Sequence, residues 1–298
     1  MTPTIPAKRL WFGVAVVAAL ALPLAACGAK KSESPGAGAS ATTSVDKALA
    51  DKVPATIKSD GKILIGTDST YAPSEFLDTD GKTVIGFDVD LFNAVAQKLG
   101  LKTEWQSAKF DDIIPGVQSG KYEAGISSFT INDDRKKQVT MVSYFSAGTQ
   151  WAAKKGATIT TDNACGKKVA VQTGTVQVED ITARSKKCTD GGKGAIIIDQ
   201  YQAQSDATAA VVSGKDEAML ADSPVCAYAV KQTSGQLQLV GDIYESAPYG
   251  YVVNKDQKDF ADAISGAVQK LIEDGTYATI LKRWGVDAGG IKTSAVNP

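Results

Sequence analysis

The sequence predicts an α/β protein whose parallel sheets carry helices on both faces and whose core is divided between two lobes. Its 298 residues are 43% apolar, which is enough material for such a core. Short β-branched runs alternate with amphipathic stretches along most of the chain, as in consecutive strand–helix units. The alternation begins anew at Cys165 to Thr175, where a strand runs into a Gly-Thr turn and a helix.

Charge and histidine content exclude several kinds of function. There are 32 basic and 33 acidic residues, so the net charge of −1 gives no electrostatic case for a nucleic-acid partner. The chain has no histidine, which excludes Ser-His-Asp catalysis, Cys-His catalysis and His-ligated zinc sites. We therefore predict no metal site, no cofactor and no nucleic-acid partner.

Residues 1–26 are predicted to be a secretory signal peptide. Lys8-Arg9 precedes an apolar run, Leu10 to Ala26, that is short for a membrane-spanning helix and is interrupted by Pro23. This order of a basic start and a short hydrophobic stretch is typical of a segment that is removed after export.

The signal ends in a sequence, Leu24 to Cys27, that resembles the bacterial lipobox. The resemblance implies cleavage before Cys27 and lipid attachment to that residue; an ordinary cleavage site beside a cysteine is the alternative. With lipid on Cys27, residues 27–55 are predicted to be a lipid-anchored tether. The tether is expected to be flexible, because Gly28 to Ser44 are small and polar. A short helix is expected within residues 46–58.

The first half of the core shows strand and helix patterns in turn, each ended by a glycine, a proline or a polar residue. They predict a strand at 62–68, a helix from Asp88 as N-cap to Gly100 as terminator, a strand at 103–105, a helix at 111–118 kinked by Pro115, and a strand at 124–127.

The junction from Ser127 to Arg135 ends a strand and opens a helix, and such a junction can bind an anion. Asn132 is the expected N-cap, and free backbone N–H groups at a helix start can point at a carboxylate. Arg135 adds a planar, two-pronged donor. A capped helix with a solvated arginine paired to a neighbouring aspartate is the alternative.

The second half repeats the alternation and then returns to a long extended segment and a helix. The predicted elements are an extended stretch at 141–155, a strand within 165–175, strands at 195–198, 217–220 and 236–240, helices at 200–212 and 223–231, an extended stretch at 248–253, and a helix with Phe260, Ile264, Val268, Leu271 and Ile272 on one face that stops at Gly275.

Seven motifs are distributed between Lys62 and Gly285: Gly66 to Pro73, Gly86 to Leu91, Ile114-Pro115, Ser119 to Lys121, Arg135 to Lys137, Gln172 to Thr175 and Asp274 to Tyr277. In their order and approximate spacing the chain resembles the family 3 extracellular solute-binding proteins, the amino-acid receptors of ABC importers. The resemblance implies two Rossmann-like lobes joined by a two-strand hinge, with crossings near 147–149 and 246–249. The implied domains are 56–148 with 248–298 for one lobe and 149–247 for the other.

The resemblance also implies a ligand site between the lobes. Arg135 would bind the ligand's α-carboxylate, with Thr130 and backbone N–H groups near Thr175. Asp222 would hold the α-ammonium, with the Ser128 carbonyl and the Thr130 hydroxyl; an N-cap role for Asp222 at the helix from Ser223 is the alternative. The remaining predicted ligand-binding residues are the flanking aromatics Tyr71 and Phe110, and the cleft residues Asp68, Ser127 and Gln172.

Three segments depart from the family pattern. Ser74 stands where an aromatic residue usually follows Tyr-Ala-Pro, and Val176 stands where a second threonine commonly contacts the carboxylate. Val139 to Phe145 lacks the common Phe-Ser-x-Pro-Tyr pattern. We expect these departures to affect ligand choice and hinge geometry and to leave the fold intact.

The predicted function is that of a monomeric, lipid-anchored extracellular receptor that binds a polar amino acid and delivers it to the membrane subunits of an ABC importer. A dehydratase on the same scaffold is one alternative, and it would need Glu75 or Asp68 as acid–base group. A lipoprotein whose lobes only hold a partner is the other.

Three cysteines remain after Cys27, which allows three pairings in an oxidising compartment. Cys165 precedes a predicted strand and Cys188 follows the next helix, so both are expected in polar loops at the same end of one unit. Cys226 lies in an apolar run, where a buried free thiol is common. We therefore predict a Cys165–Cys188 disulfide with Cys226 free.

Overall fold

The computed structural model describes residues 43–298, in which helices and strands alternate. The helices are α1 (Lys47–Ala50), α2 (Ala55–Lys58), α3 (Phe87–Lys98), α4 (Phe110–Gln118), α5 (Asp133–Gln138), α6 (Val176–Asp190), α7 (Gln204–Ser213), α8 (Ser223–Gln232), α9 (Lys258–Glu273) and α10 (Thr276–Trp284), followed by a 3₁₀ turn at Asp287–Gly289. The strands are β1 (Lys62–Thr67), β2 (Thr70–Tyr71), β3 (Glu75–Leu77), β4 (Val84–Ile85), β5 (Lys102–Ser107), β6 (Ala124–Thr130), β7 (Thr140–Lys154), β8 (Lys168–Gln172), β9 (Ile197–Tyr201), β10 (Ala218–Asp222) and β11 (Leu237–Val253).

Eight strands form one mixed sheet in the order β5-β1-β6-β11-β7-β10-β8-β9. In one half, β1 pairs in parallel with β5 and β6; in the other half, β8 pairs in parallel with β9 and β10. We name these halves lobe 1 and lobe 2. A second sheet of β2, β3 and β4 belongs to lobe 1. The predicted fold class, two Rossmann-like lobes joined by a two-strand hinge, is confirmed.

The hinge consists of β7 and β11, which are 15 and 17 residues long and antiparallel to each other. β11 also pairs with β6 of lobe 1, and β7 also pairs with β10 of lobe 2. Their register shifts between Val240 and Ala247, where the pairing is irregular. Gly148 lies in this region, and a Cβ there would be 2.5 Å from the Tyr244 carbonyl oxygen, so a larger residue would push the strands apart. The residue limits of the two lobes stay a prediction.

Each lobe has a hydrophobic core of its own. In lobe 1, the predicted apolar faces of α3 and α9 pack together, with Leu91 and Phe260 fully buried. In lobe 2, Trp151 and Val171 lie in a separate cluster. Tyr71 of lobe 1 packs into a further cluster formed otherwise by residues such as Val225, so the two lobes also touch outside the hinge.

The first described residues correct the predicted limit of the tether. α1 and α2 take the place of the single short helix expected within residues 46–58, and Val53 is buried in the core of lobe 1. Leu49 packs against the same core. The ordered body therefore begins before residue 56. Residues 1–26, Cys27 and the rest of the tether up to residue 42 lie outside the described residues.

Several predicted elements differ in the structure. Asp88 is not the N-cap of α3: the helix begins at Phe87 after Gly86, and the Asp88 carboxylate is buried. The helix predicted at 200–212 begins at Gln204, because residues 197–201 extend to pair with β8. The segments predicted separately at 236–240 and 248–253 belong to the continuous strand β11. α10, beyond the predicted stop at Gly275, was not anticipated.

The predicted disulfide between Cys165 and Cys188 is present, with Cα atoms 5.6 Å apart. Cys188 lies in the last turn of α6 and is buried, which corrects its predicted place in a polar loop. Cys226 is a buried free thiol whose Sγ lies 3.2 Å from the Gln150 carbonyl oxygen. Burial raises the pKa of this thiol well above its usual value, so it stays protonated.

Replacing both Cys165 and Cys188 with serine should lower the free energy of unfolding by about 3 kcal/mol, because the bridge restricts the unfolded chain across a separation of 23 residues. Urea unfolding of the double variant and the wild-type protein measures the difference. Single and double variants should lose the same stability, since either change breaks the bridge. An unchanged unfolding midpoint would contradict the assignment.

No helix within residues 43–298 combines the length and hydrophobicity needed to cross a membrane.

Candidate functional site

Arg135 is fixed in the first turn of α5, where the sequence analysis placed it. The Asn132 side chain caps the helix by accepting a hydrogen bond from the Arg135 backbone N at 2.9 Å, as predicted. The guanidinium donates from Nη1 to the Thr130 carbonyl oxygen at 2.8 Å and from Nη2 to the Gly174 carbonyl oxygen at 3.2 Å. Gly174 belongs to lobe 2, so this side chain touches both lobes.

The Arg135 guanidinium lies over the stacked rings of Phe110 and Phe129, at 5.4 Å and 5.5 Å from their centroids. Its side chain is buried, which lowers the pKa of Arg135, while the negative charge of Asp222 opposes that change. The guanidinium stays charged. The alternative of a solvated arginine paired to a neighbouring aspartate is wrong, since the acidic neighbours pair with lysines instead: Asp133 with Lys136 and Asp134 with Lys137.

Asp222 approaches the same space from lobe 2, at the end of β10. Its Oδ2 accepts hydrogen bonds from the Tyr71 hydroxyl at 2.9 Å and the Tyr249 hydroxyl at 2.7 Å, and its Oδ1 accepts one from Gln177 Nε2 at 2.8 Å. Burial raises the pKa of Asp222, and these three donors and Arg135 oppose the rise. Asp222 is the N-cap residue of α8 by its position, as in the alternative interpretation, but its side chain makes no capping hydrogen bond within the described chain.

Between Arg135 and Asp222 lies a narrow cavity. Arg135 comes from lobe 1, whereas Asp222 and the start of α6 come from lobe 2. Helix α6 begins at this cavity, so its first backbone N–H groups are available to an anion. The lining includes eight of the residues predicted to bind ligand, namely Tyr71, Phe110, Ser127, Ser128, Thr130, Arg135, Thr175 and Asp222, together with Val176 and Gln177.

Asp68 and Gln172, the other two predicted ligand-binding residues, contact each other behind this lining. Gln172 Nε2 in lobe 2 donates to Asp68 Oδ2 in lobe 1. Asp68 also accepts from the Thr70 hydroxyl at 2.8 Å, and its backbone N donates to the Ser127 hydroxyl at 3.0 Å. Burial raises the pKa of Asp68 to about 6, although Thr70 and Gln172 oppose the rise. Asp68 is therefore not part of the lining itself, but it is connected to the lining through Ser127.

Ser127 and Ser128 form one edge of the cavity, which we name the serine edge. Their side chains bond to two buried carboxyl groups, Glu75 and Asp88. Ser127 Oγ donates to Glu75 Oε1 at 2.9 Å, and the backbone N and Oγ of Ser128 both donate to Asp88 Oδ2 at 3.2 Å. Burial and the charge of Asp88 raise the pKa of Glu75 well above its usual value.

The backbone of Ser128 has a φ of 50°, which is uncommon for a residue with a side chain. The two hydrogen bonds to Asp88 hold this conformation. The role of Asp88 is therefore to shape the serine edge of the cavity. Glu75, the candidate acid–base group of the dehydratase alternative, contacts Ser127 and lies behind the cavity lining.

Sequence reasoning missed Gln177 and Tyr249, which both bond to Asp222. Gln177 follows the Gly-Thr turn closely and could have been noticed as a polar residue in the first turn of a helix. Tyr249 gave no local signal, because its partner is distant in the sequence. Two positions at which this chain departs from the family pattern differ in their surroundings. Val176 lines the cavity, whereas Ser74 is outside the lining and fully buried.

Among the described residues there is no group of three or more Cys, Asp or Glu side chains arranged to hold a metal ion. The site instead presents one fixed cation and one fixed anion on opposite walls. Such a pair suits a zwitterion, the form of a free amino acid.

Residues 63–287 match the bacterial extracellular solute-binding proteins, family 3. This match spans most of the chain, and the chain belongs to that family. The protein is an extracellular, amino-acid-binding component of ABC import. Like these relatives, which are binding proteins, it is not an enzyme.

Three relatives illustrate the similarity. The arginine-binding protein ArgT of Corynebacterium glutamicum is 36% identical over 248 residues, which cover 82% of this chain and 81% of that protein. The ABC transporter glutamine-binding protein GlnH of Bacillus subtilis is 27% identical, with 92% and 96% covered. The structure of an ancestral arginine-binding protein bound to arginine is 35% identical, covers 75% of this chain and 98% of its own, and has a TM-score of 0.69.

Proposed function

We propose that the protein is a lipid-anchored receptor that binds a polar amino acid, with arginine as the preferred ligand, and delivers it to an ABC importer. The observation that carries this proposal is the placement of Arg135 and Asp222 on opposite walls of one cavity between the lobes. Arg135 would bind the α-carboxylate and Asp222 the α-ammonium. The remaining eight predicted ligand-binding residues lie on or directly behind the same walls.

A zwitterion loses strong hydration when it enters a closed cleft, so both of its charged ends need partners there. The cavity offers a guanidinium and helix N–H groups to the carboxylate, and a carboxylate to the ammonium. Since these groups belong to different lobes, only the closed arrangement lets both contact the ligand. Ligand binding would therefore stabilise closure.

Arginine is favoured over an uncharged amino acid by the charge behind the cavity. Asp68 has a carboxylate whose described donors, Thr70 and Gln172, are both neutral. A guanidinium at this end of the cleft would give it a cationic partner. The likeness to arginine-binding proteins supports the same choice, while the likeness to a glutamine-binding protein keeps glutamine as the comparison ligand.

The proposal is tested by a thermal-shift panel of the natural amino acids. Arginine should give the largest rise in the unfolding midpoint, because a ligand that binds only the folded state stabilises it by RT ln(1 + [L]/Kd). Glutamine should give a smaller rise and amino acids with apolar side chains none. No shift with any amino acid would contradict the function and favour a lipoprotein that holds a partner.

The affinity for arginine should fall as the pH drops below about 6, because Asp68 then takes up a proton and loses its charge. The expected loss approaches tenfold per pH unit below that value. Glutamine should lose less affinity over the same range, since its side chain is neutral. Isothermal titration of both ligands from pH 7.5 to pH 5 measures the ratio of the two affinities.

The ratio of the arginine affinity to the glutamine affinity reports on Asp68. Protonation of Asp222, Glu75 or Asp88 would change both affinities, because the two ligands have the same α-carboxylate and α-ammonium groups. In an Asp68→Asn variant the ratio should be low and independent of pH. A ratio that stays constant with pH in the wild-type protein would contradict the role of Asp68.

Lipid attachment at Cys27, which lies outside the described residues, is part of the proposal. A Cys27→Ser variant should move from the membrane fraction to the medium, because a tether without acyl chains has no membrane affinity. Fractionation and immunoblotting measure the distribution. If the variant stays with the membrane although its signal peptide has been removed, the anchor lies elsewhere.

A further inference from the structure

Asp222 is held mainly by side chains from outside its own lobe. Both bonds to Oδ2 come from tyrosine hydroxyls, Tyr71 on β2 of lobe 1 and Tyr249 on the hinge strand β11. The only bond to Oδ1 from a described side chain comes from Gln177. The Tyr71 hydroxyl also accepts a hydrogen bond from the Asp222 backbone N at 3.3 Å. The position of this carboxylate thus depends on groups that the rotation of the lobes would move.

The donors leave one side of the carboxylate available. A carboxylate has about four lone-pair positions, two on each oxygen. Tyr71 and Tyr249 occupy those of Oδ2, and Gln177 occupies one on Oδ1, so a single position on Oδ1 is left for another donor. The ammonium group of a ligand would therefore bind to Oδ1 of a carboxylate whose orientation is already fixed by hydrogen bonds.

Tyr249 connects this carboxylate to the hinge. The Tyr249 backbone pairs with Thr130 of β6 and with Phe145 of β7, and the Tyr249 ring is fully buried. On the other crossing strand, the Thr149 hydroxyl accepts a hydrogen bond from Gln177 Nε2 at 3.1 Å. Both hinge strands therefore reach Asp222, one directly and one through Gln177.

We propose that Tyr249 is a positioning residue for ligand recognition: from the hinge, its hydroxyl fixes the Asp222 carboxylate in the orientation that accepts the α-ammonium. This inference rests on the proposed function. Nothing in the family resemblance or the comparisons assigns a role to Tyr249. It implies that the hinge sets the strength of the ammonium contact directly.

The electrostatics around Asp222 agree with this role. Burial and the charge of Asp222 raise the pKa of Tyr249 well above its usual value, so its hydroxyl stays protonated and can donate. The hydroxyl in turn opposes the rise in the pKa of Asp222. The titratable and charged groups that face Asp222 are Tyr71 from β2, Tyr249 from β11, Arg135 from α5 and Cys226 from α8.

The test removes one hydroxyl and leaves the ring in place. In Tyr249→Phe, the affinity for arginine should fall about tenfold or more, since a hydrogen bond to a charged group is lost at the atom that binds the ammonium. Arginine without its α-amino group (guanidinopentanoic acid) should bind the variant and the wild-type protein alike. Tyr251→Phe is the matched control, because the buried Tyr251 hydroxyl has no hydrogen-bond partner among the described residues.

A second measurement separates positioning from general structural damage. Carbon-13 NMR of labelled aspartate carboxyl groups gives the pKa of Asp222 without ligand. It should be higher in Tyr249→Phe than in the wild-type protein and unchanged in Tyr251→Phe, and the affinity of Tyr249→Phe for arginine should begin to fall at a higher pH.

Each outcome decides one of the two proposals. Equal affinities for arginine in Tyr249→Phe and wild-type protein, or an equal loss for arginine and its deaminated analogue, would overturn the role of Tyr249. If the wild-type protein bound neither arginine nor glutamine, the proposed function would fail, and the carboxyl titration would still show whether Tyr249 controls Asp222.

Discussion

Replacing Arg135 with alanine should lower the affinity for arginine by about a hundredfold or more. Truncating one partner of a buried, charge-assisted pair typically costs 2–5 kcal/mol of binding free energy, much of it because the other charge is left without a partner. The side chain is buried and donates to the Thr130 and Gly174 carbonyl oxygens, so it is fixed in the site. Isothermal titration of the variant and the wild-type protein measures the loss.

The loss should be specific to the ligand's carboxylate. Agmatine, which is arginine without that group, should bind weakly to the wild-type protein and no more weakly to Arg135→Ala. The same substitution at Arg283 is a matched control, since this guanidinium pairs with Asp90 at 2.6 Å away from the cleft. Arg135→Lys should recover only part of the affinity, because an ammonium lacks the planar two-pronged geometry. Full arginine affinity in Arg135→Ala would falsify the assignment of Arg135 as the carboxylate-binding residue.

The sequence predicted the position of Arg135 in the first turn of a helix, because the surroundings of this residue are local. The strand before it, the Asn132 cap and the first turn of α5 lie within a few residues of one another, and each has a pattern that can be read directly. The same local reading failed at Asp88. An aspartate at the start of an apolar stripe resembles an N-cap, but this carboxylate is bonded to Ser128, 40 residues away.

Long-range partners explain the other omissions. Gln177 and Tyr249 bond to Asp222 from 45 and 27 residues away, and neither contact has a sequence spacing that would reveal it. The sequence predicts two separate extended segments at 236–240 and 248–253, whereas the structure joins them in β11, whose pairing with β7 is irregular between Val240 and Ala247. The α/β class follows from local periodicity, whereas the hinge and the order of the lobes are what the family resemblance implies. The finer shape of the site follows from contacts between distant segments.

Replacing Asp222 with asparagine should also lower the affinity for arginine by about a hundredfold, because the ammonium loses its charged partner inside a buried site. Asparagine keeps the size of the side chain and one oxygen that can accept from Gln177, so the variant should remain folded. Burial raises the pKa of Asp222, which means that its negative charge is not strongly stabilised in the ligand-free protein. Removing this charge should therefore cost the fold little stability. Isothermal titration gives the affinity, and the unfolding midpoint without ligand gives the effect on the fold.

The analogue series distinguishes a recognition role for Asp222 from a structural one. Guanidinopentanoic acid, which lacks the α-amino group, should be strongly disfavoured relative to arginine in the wild-type protein, because it leaves Asp222 without a cation. In Asp222→Asn that difference should shrink to a few-fold. Asp216→Asn is the matched control: its buried carboxylate accepts a hydrogen bond from the Tyr201 hydroxyl at 2.6 Å, as Asp222 accepts from Tyr249, but it lies outside the cavity lining. If Asp222→Asn and Asp216→Asn weakened arginine binding equally, the effect would be a general property of lobe 2, and Asp222 would not be the ammonium site.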